Sequence, residues 1–339
     1  MQKWEQIQGV YIHTPFCLQK CLYCDFASYA GADTETMEKY VDAVCSEIMM
    51  RSNEVTIADQ ATLYFGGGTP SLLSEKLLAK LVEALQKNGC WLQPAEATIE
   101  VNPGTADLDK LRFFKDLGFD RISFGVQSLN DAELRAVGRI HTANEALDAI
   151  TMAEKAGFTR VSADLIYGLP EQSLQTLKTS LQNLTAAGLQ HLSVYGLTIE
   201  KNTPLAGMLD KGKVELPDED CQLAMYELVQ EYLEAQGLHR YEISNYAVSG
   251  QESRHNLVYW HYLPYLSFGS SACSFNGSQR FTATDSVTDY IESIQSGKSC
   301  GGFEDLTKEM QLSEYLFMGL RTTVGIDLIE TEQRFGCDV

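Results

Sequence analysis

Gly9-Val10-Tyr11-Ile12-His13-Thr14-Pro15-Phe16-Cys17-Leu18-Gln19-Lys20-Cys21-Leu22-Tyr23-Cys24 joins an apolar run to three cysteines spaced C-x3-C-x2-C. The run predicts a first strand, and the cysteines lie on the loop that leaves its end. Thiolate is the usual ligand of iron–sulfur clusters, so three thiolates on one short loop can hold three irons of a 4Fe–4S cluster. The fourth iron then has no protein ligand nearby. An open coordination position is what a catalytic metal site keeps and a structural one closes. The amino and carboxylate groups of S-adenosylmethionine (SAM) could chelate such an iron, and an electron from the cluster would then cleave that cofactor to a carbon radical. A zinc knuckle is the rival reading, but zinc sites usually want four ligands in closely spaced pairs. The sequence has no second pair: Cys45, Cys90, Cys221, Cys273, Cys300 and Cys337 are scattered and read as buried small apolar residues.

The chain around this loop has 339 residues, 44% of them hydrophobic, enough for one barrel-sized domain plus a smaller one. Cysteines without framework spacing suggest a reducing compartment. The N-terminus, Met1-Gln2-Lys3-Trp4-Glu5-Gln6, lacks the apolar core of a signal peptide. A cytoplasmic location follows, with peripheral membrane contact and a homodimer left open. Net charge is −20, from 26 Lys+Arg against 46 Asp+Glu, with no basic run. A binder of phosphate backbones needs clustered Lys and Arg, so no nucleic-acid partner is expected.

Apolar, β-branched runs recur at 10–13, 61–65, 97–101, 121–126, 160–166 and 191–197, and helical patterns lie between them. Met37, Tyr40, Val41, Val44 and Ile48 mark one helix in 33–51; Leu108, Leu111, Phe114 and Leu117 mark another, closed by Gly118. Thr142-Ala143-Asn144-Glu145 is a capping box, with Gly157 as the stop. Six such units predict a parallel sheet with right-handed crossovers, an α/β partial TIM barrel of (β/α)6 type over residues 1–205. Its chemistry belongs at the C-terminal ends of the strands, where the cysteine loop sits. Beyond Lys201-Asn202-Thr203-Pro204 and Leu216-Pro217-Asp218 a helix runs to Gln236. An aromatic, turn-rich stretch follows with Tyr241, Tyr246, Tyr259, Trp260, Tyr262, Tyr265 and Phe268. This predicts a smaller α+β domain, 206–339, covering the barrel mouth.

Candidate site residues fall at the strand ends. Gly66-Gly67-Gly68-Thr69-Pro70 follows the second strand, where glycines let backbone approach a ligand and offer N–H donors. Glu100 ends the third strand and suits ribose hydroxyls; Gln127 ends the fourth. Asp164 lies inside an apolar fifth strand, where a charge is costly without a partner. Arg139 is a candidate for that partner or for the SAM carboxylate. His13 sits beside the cluster loop. His255, in His255-Asn256-Leu257-Val258-Tyr259-Trp260, is of the residue type that ligates haem iron, with aromatic neighbours suited to a porphyrin face. Tyr259, His261 and Cys273 are alternative axial ligands. No catalytic residue can be assigned.

From about residue 9 onward the chain resembles one branch of the radical-SAM superfamily, the oxygen-independent coproporphyrinogen III oxidases and their haem-chaperone relatives, the HemW proteins. The resemblance rests on Tyr11–Cys17, Tyr64–Pro70, Glu100-Val101-Asn102-Pro103, Phe124–Ser128 and Asp164–Pro170. It implies that Cys17, Cys21 and Cys24 hold the cluster. It also implies that Tyr11 and Tyr23 contact SAM near the cluster, that Gly67, Gly68 and Thr69 bind its methionine part, and that Glu100, Gln127, Arg139 and Asp164 complete the pocket. The oxidases carry a further cysteine two residues after the third, and a sizeable segment before the cluster loop. Phe26 occupies that cysteine's position, and sixteen residues precede Cys17. The His255-Asn256-x-x-Tyr259-Trp260 pattern looks like the haem-binding signature of the chaperones. The resemblance therefore implies a haem chaperone that holds a 4Fe–4S cluster, SAM and haem and passes haem to recipient haemoproteins. The alternative is a coproporphyrinogen III dehydrogenase that decarboxylates propionate side chains. Family members continue beyond Phe335-Gly336-Cys337-Asp338-Val339, so the tail is expected to be incomplete.

Overall fold

The computed structural model describes residues 4–91 and 94–336. Its first half alternates as expected. β1 (Trp4–Thr14) leads through short β2 (Phe16–Cys17) and β3 (Tyr29–Ala30) to α1 (Thr34–Arg51). Then come β4 (Val55–Gly67), α2 (Glu75–Lys87), β5 (Ala97–Val101), α3 (Leu108–Asp116), β6 (Arg121–Gln127), α4 (Asp131–Ala136) and α5 (Ala143–Lys155). β7 (Arg160–Tyr167), α6 (Leu174–Ala186) and β8 (His191–Gly196) complete it. The local reasons are readable. Asp33, Ser74, Asp107 and Ser173 each accept from a first-turn N–H, and Thr142 and Glu145 form the expected reciprocal capping box of α5. β1, β4, β5, β6, β7 and β8 pair in parallel in that order, which brings all six C-terminal ends to one rim.

The second half comprises α7 (Pro204–Asp210), α8 (Glu219–Ala235), β9 (His239–Arg240), β10 (Asn245–Ala247), α9 (Arg254–Trp260), β11 (Tyr265–Phe268), β12 (Cys273–Phe275), β13 (Gln279–Ala283), α10 (Val287–Gln295), β14 (Gly301–Asp305), α11 (Lys308–Gly319) and α12 (Leu328–Phe335). Its strands extend the same sheet at both edges. β10 and β9 add antiparallel to β8, while β11 lies parallel to β1 and continues into β12, β13 and β14. The result is one 12-stranded sheet with β1 inside it. One apolar core joins Val10 and Ile12 to Val41, Phe65, Ile99, Phe124, Leu192, Phe268 and Tyr290.

The α9 part of the aromatic stretch expected to cover the mouth, with His255 and Tyr259, lies at the opposite end. α9 is anchored by Glu96, just before β5: its carboxylate accepts from the N–H groups of Arg254 (3.2 Å) and His255 (3.1 Å) and pairs with Arg160 at 2.7 Å. His255 and Tyr259 pack there against Tyr11, Tyr64 and Tyr265, whereas Tyr262 joins Phe275 and Tyr315 in a separate cluster and Phe268 lies beside Ile12 of β1. Of the cysteines expected to be buried, Cys90 and Cys300 are, whereas Cys45, Cys221 and Cys273 are only partly covered. Cys337 lies outside the described residues. No helix among the described residues is long and apolar enough to cross a membrane.

Candidate functional site

The three cysteines lie half-buried on the loop between β1 and β3, and the loop is tied down at several points. Leu22 N–H donates to Val137 O (3.0 Å), Leu205 N–H to Leu22 O (2.9 Å) and Tyr29 N–H to Pro15 O (2.7 Å). His13 bridges it from below, bonding Ala27 O through Nε2 (2.9 Å) and the Tyr11 hydroxyl through Nδ1 (3.0 Å). Burial pushes the Cys17 thiol up, a cost that a bound cation removes because it takes the thiolate. No set of His, Cys, Asp and Glu side chains among the described residues closes on one point as ligands of a mononuclear ion would. Three thiols that each take a different iron have no need to do so.

Behind the loop opens a cavity of about 550 Å³ at the C-terminal rim of the sheet, a size suited to a cofactor. Cys17, Cys21, Cys24, Tyr23, Gly67, Gly68, Thr69, Glu100, Gln127, Arg139 and Asp164 all line it. The glycine tract is fixed by steric need. A Cβ on Gly67, whose φ is +109°, would meet the His13 ring at 2.5 Å, and one on Gly68 would meet Phe16 O at 2.7 Å. Gln127 is left-handed too, at φ 68°, beside the irregularity between Phe124 and Gln127 in the β6–β7 register. Strained non-glycine backbone of this kind gathers at functional sites.

Two carboxylates share the cavity floor. Glu100 accepts from Tyr64 Oη at 2.7 Å and from Gly67 N–H at 3.2 Å. Burial pushes it up to about 7 against these bonds, and the Asp164 charge adds to the rise. Asp164 is pushed up to about 6 by burial, opposed by Ser193, Arg121 and Ser123. Arg139 forms no ion pair with Asp164 among the described residues. Its guanidinium donates instead to Asn102 Oδ1 (2.7 Å), to the Gly125 carbonyl and to Cys21 Sγ (3.4 Å). The sequence placed Arg139 correctly on the rim but not its bonds, because a flexible guanidinium reaches partners that strand order does not reveal.

Tyr11 and His255 stand apart from the cavity lining. Tyr11 lies beneath it, its ring 6.1 Å from Tyr64 and 6.4 Å from His255. His255 is 1% exposed. Its Nδ1 bonds Thr62 Oγ1 at 2.7 Å, its Nε2 bonds Tyr259 Oη at 2.8 Å, and its ring stacks on Tyr64 at 4.9 Å. Burial pushes its pKa down to about 3, so the imidazole is neutral. It faces the barrel floor rather than the mouth. Asn102, Ser123 and Tyr195 also line the cavity and were not singled out in the sequence. The usable signal was position alone: Asn102 directly follows β5, and Tyr195 is the penultimate residue of β8. Phe26, 71% exposed, stands at the rim.

The radical SAM superfamily model matches residues 11–184. The protein named heme chaperone HemW from Bacillus subtilis (strain 168) is 35% identical over 335 residues, 97% of this chain and 87% of its own length. Its namesake from Synechocystis sp. is 37% identical over 326 residues, 94% of this chain and 79% of its own. The Escherichia coli (strain K12) protein of that name is 37% identical over 267 residues, 78% of this chain and 69% of its own. Among solved structures, the coproporphyrinogen III oxidase HemN of Escherichia coli, described as a radical SAM enzyme, superposes with a TM-score of 0.85. It covers 99% of this chain and 80% of its own at 23% identity, a likeness of fold.

Proposed function

The chain belongs to the radical SAM superfamily and, within it, to the HemW family, and from that premise we propose that it is a haem chaperone: it binds haem and delivers it to recipient haemoproteins, with a 4Fe–4S cluster at Cys17, Cys21 and Cys24 and SAM in the adjoining cavity. The observation that carries this reading is the cavity itself, where three thiols, the glycine tract and two half-buried carboxylates converge at the strand ends. When bound, the cluster supplies an electron to SAM. The chain's own residues do the rest. Glu100, ionised, accepts from the ribose hydroxyls; Gly67, Gly68 and Thr69 shape the edge against the methionine part; Tyr23 and Gln127 close the sides.

Haem is the proposed cargo because the near-full-length relatives carry that role in their names, and because Phe26 stands where the oxidases have a cysteine. His255 is the proposed axial ligand. Its neutral imidazole is the form that ligates iron. To reach haem it must give up Thr62 or Tyr259 and come out of its 1%-exposed position. Among the described residues every cysteine is free, which suits the reducing cytoplasm we assign to it.

Anaerobic reconstitution tests the cofactor part. It should give about four irons and four sulfides per chain, lost in Cys17→Ala, Cys21→Ala or Cys24→Ala and retained in Cys45→Ala. Equal loss in Cys45→Ala or Cys273→Ala would refute the assignment.

A further inference from the structure

Arg139, Asn102 and Thr69 form a relay whose direction is set by chemistry. A guanidinium only donates, so the atom of the Asn102 amide facing Arg139 Nη2 at 2.7 Å must be its oxygen. That leaves the amide nitrogen to donate to Thr69 Oγ1, also at 2.7 Å. Having accepted there, the Thr69 hydroxyl is free to direct its proton to Cys17 Sγ, 3.6 Å away. At the other end Arg139 Nη1 donates to Cys21 Sγ at 3.4 Å. Two of the three thiols are thus joined through one side-chain amide. Space for it is reserved, since a Cβ on Gly125 would meet Asn102 Oδ1 at 2.7 Å.

We propose that Asn102 is a positioning residue whose relay through Arg139 and Thr69 directs hydrogen bonds onto Cys17 and Cys21 and so raises the reduction potential of the cluster these thiolates hold. The inference rests on the cluster assignment above and deepens it. Hydrogen bonds to cluster sulfurs favour the reduced, more negative state and are among the main determinants of its potential. Asn102 touches neither thiol, so its effect travels only through the two donors it orients. Asparagine suits the position because it accepts from Arg139 and donates to Thr69 at once.

The test is a mediated redox titration of anaerobically reconstituted wild type, Asn102→Ala and Asn102→Asp, with iron, sulfide and circular dichroism measured on each. Asn102→Asp still accepts from Arg139 but cannot donate to Thr69, so the hydroxyl turns away from Cys17; its added charge lowers the potential as well, so the neutral Asn102→Ala decides the test. Both variants should keep the wild-type fold and iron content. At fixed ambient potential their reduced-to-oxidised ratio should fall about tenfold, about 59 mV for a one-electron couple. Loaded variants with the wild-type midpoint overturn the proposal. Folded variants that both lack iron overturn it as well, since the relay would then build the cluster rather than tune it. A wild type without a cluster would instead sink the cofactor assignment.

Discussion

Glu100 concentrates the chemistry of the cavity in one titration. Half-buried at the cavity and pushed up to about 7 from 4.5 by desolvation, it holds a proton in the folded protein across a window where the unfolded chain has lost it. Its stabilising contribution is therefore complete below about 4.5 and is lost as pH rises through about 7. Asp164, pushed up to about 6, acts in the same direction. Ligand-free protein should lose on the order of 3 kcal/mol from Glu100 across that window, and Glu100→Gln should flatten this part of the pH–stability curve in chemical denaturation. SAM affinity should move the opposite way, because the ionised carboxylate is the better acceptor for ribose hydroxyls. Calorimetry should show tightening as pH rises through about 7. Glu100→Ala should weaken SAM by roughly 1.5–3 kcal/mol without loss of iron; unchanged affinity would remove Glu100 from the site.

α9 shows what one strand-end carboxylate does for an element. This short helix begins on Glu96, fully buried, which also holds the nearly buried Arg160. Glu96→Ala leaves two first-turn N–H groups and a guanidinium without their main partner. It should cost about 3–5 kcal/mol, and hydrogen exchange should quicken over 254–260. Exchange unchanged there would mean that packing alone holds α9. The same element marks how far the sequence could be read. The six strands and α1, α3, α5 and α8 follow from periodicity and caps, all local signals, and the three cysteines follow from spacing. The bonds of Glu96 to residues 254 and 255 span more than 150 positions along the chain. No pattern of aromatic residues says which end of a barrel they fill, and the mouth was the wrong choice for His255. The Arg139–Asn102–Thr69 relay was hidden for the same reason, because its members come from three separate loops, after β4, after β5 and after α4.

At the scale of the whole molecule, β1 lies between β4 and β11, and β8 between β7 and β10. Residues 1–205 alone would leave β1 and β8 as bare edges, with unpaired N–H and C=O groups that invite aggregation. That fragment should be soluble only poorly and show a broadened unfolding transition; a monomeric, cooperatively folding 1–205 would establish it as an independent domain. His255→Ala should retain the cluster while altering the haem Soret band, if α9 releases its imidazole as proposed; an identical haem spectrum and affinity would leave His255 a structural histidine bonded to Thr62 and Tyr259. Haem traffic itself is best decided on the full chain, reconstituted anaerobically with SAM. Haem is titrated in, the loaded protein is mixed with an apo-haemoprotein, and a parallel sample receives coproporphyrinogen III and a reductant. Stoichiometric haem binding followed by transfer, with no protoporphyrinogen IX formed, is the expected result; catalytic formation of protoporphyrinogen IX without haem transfer would contradict the chaperone reading and make the protein a dehydrogenase.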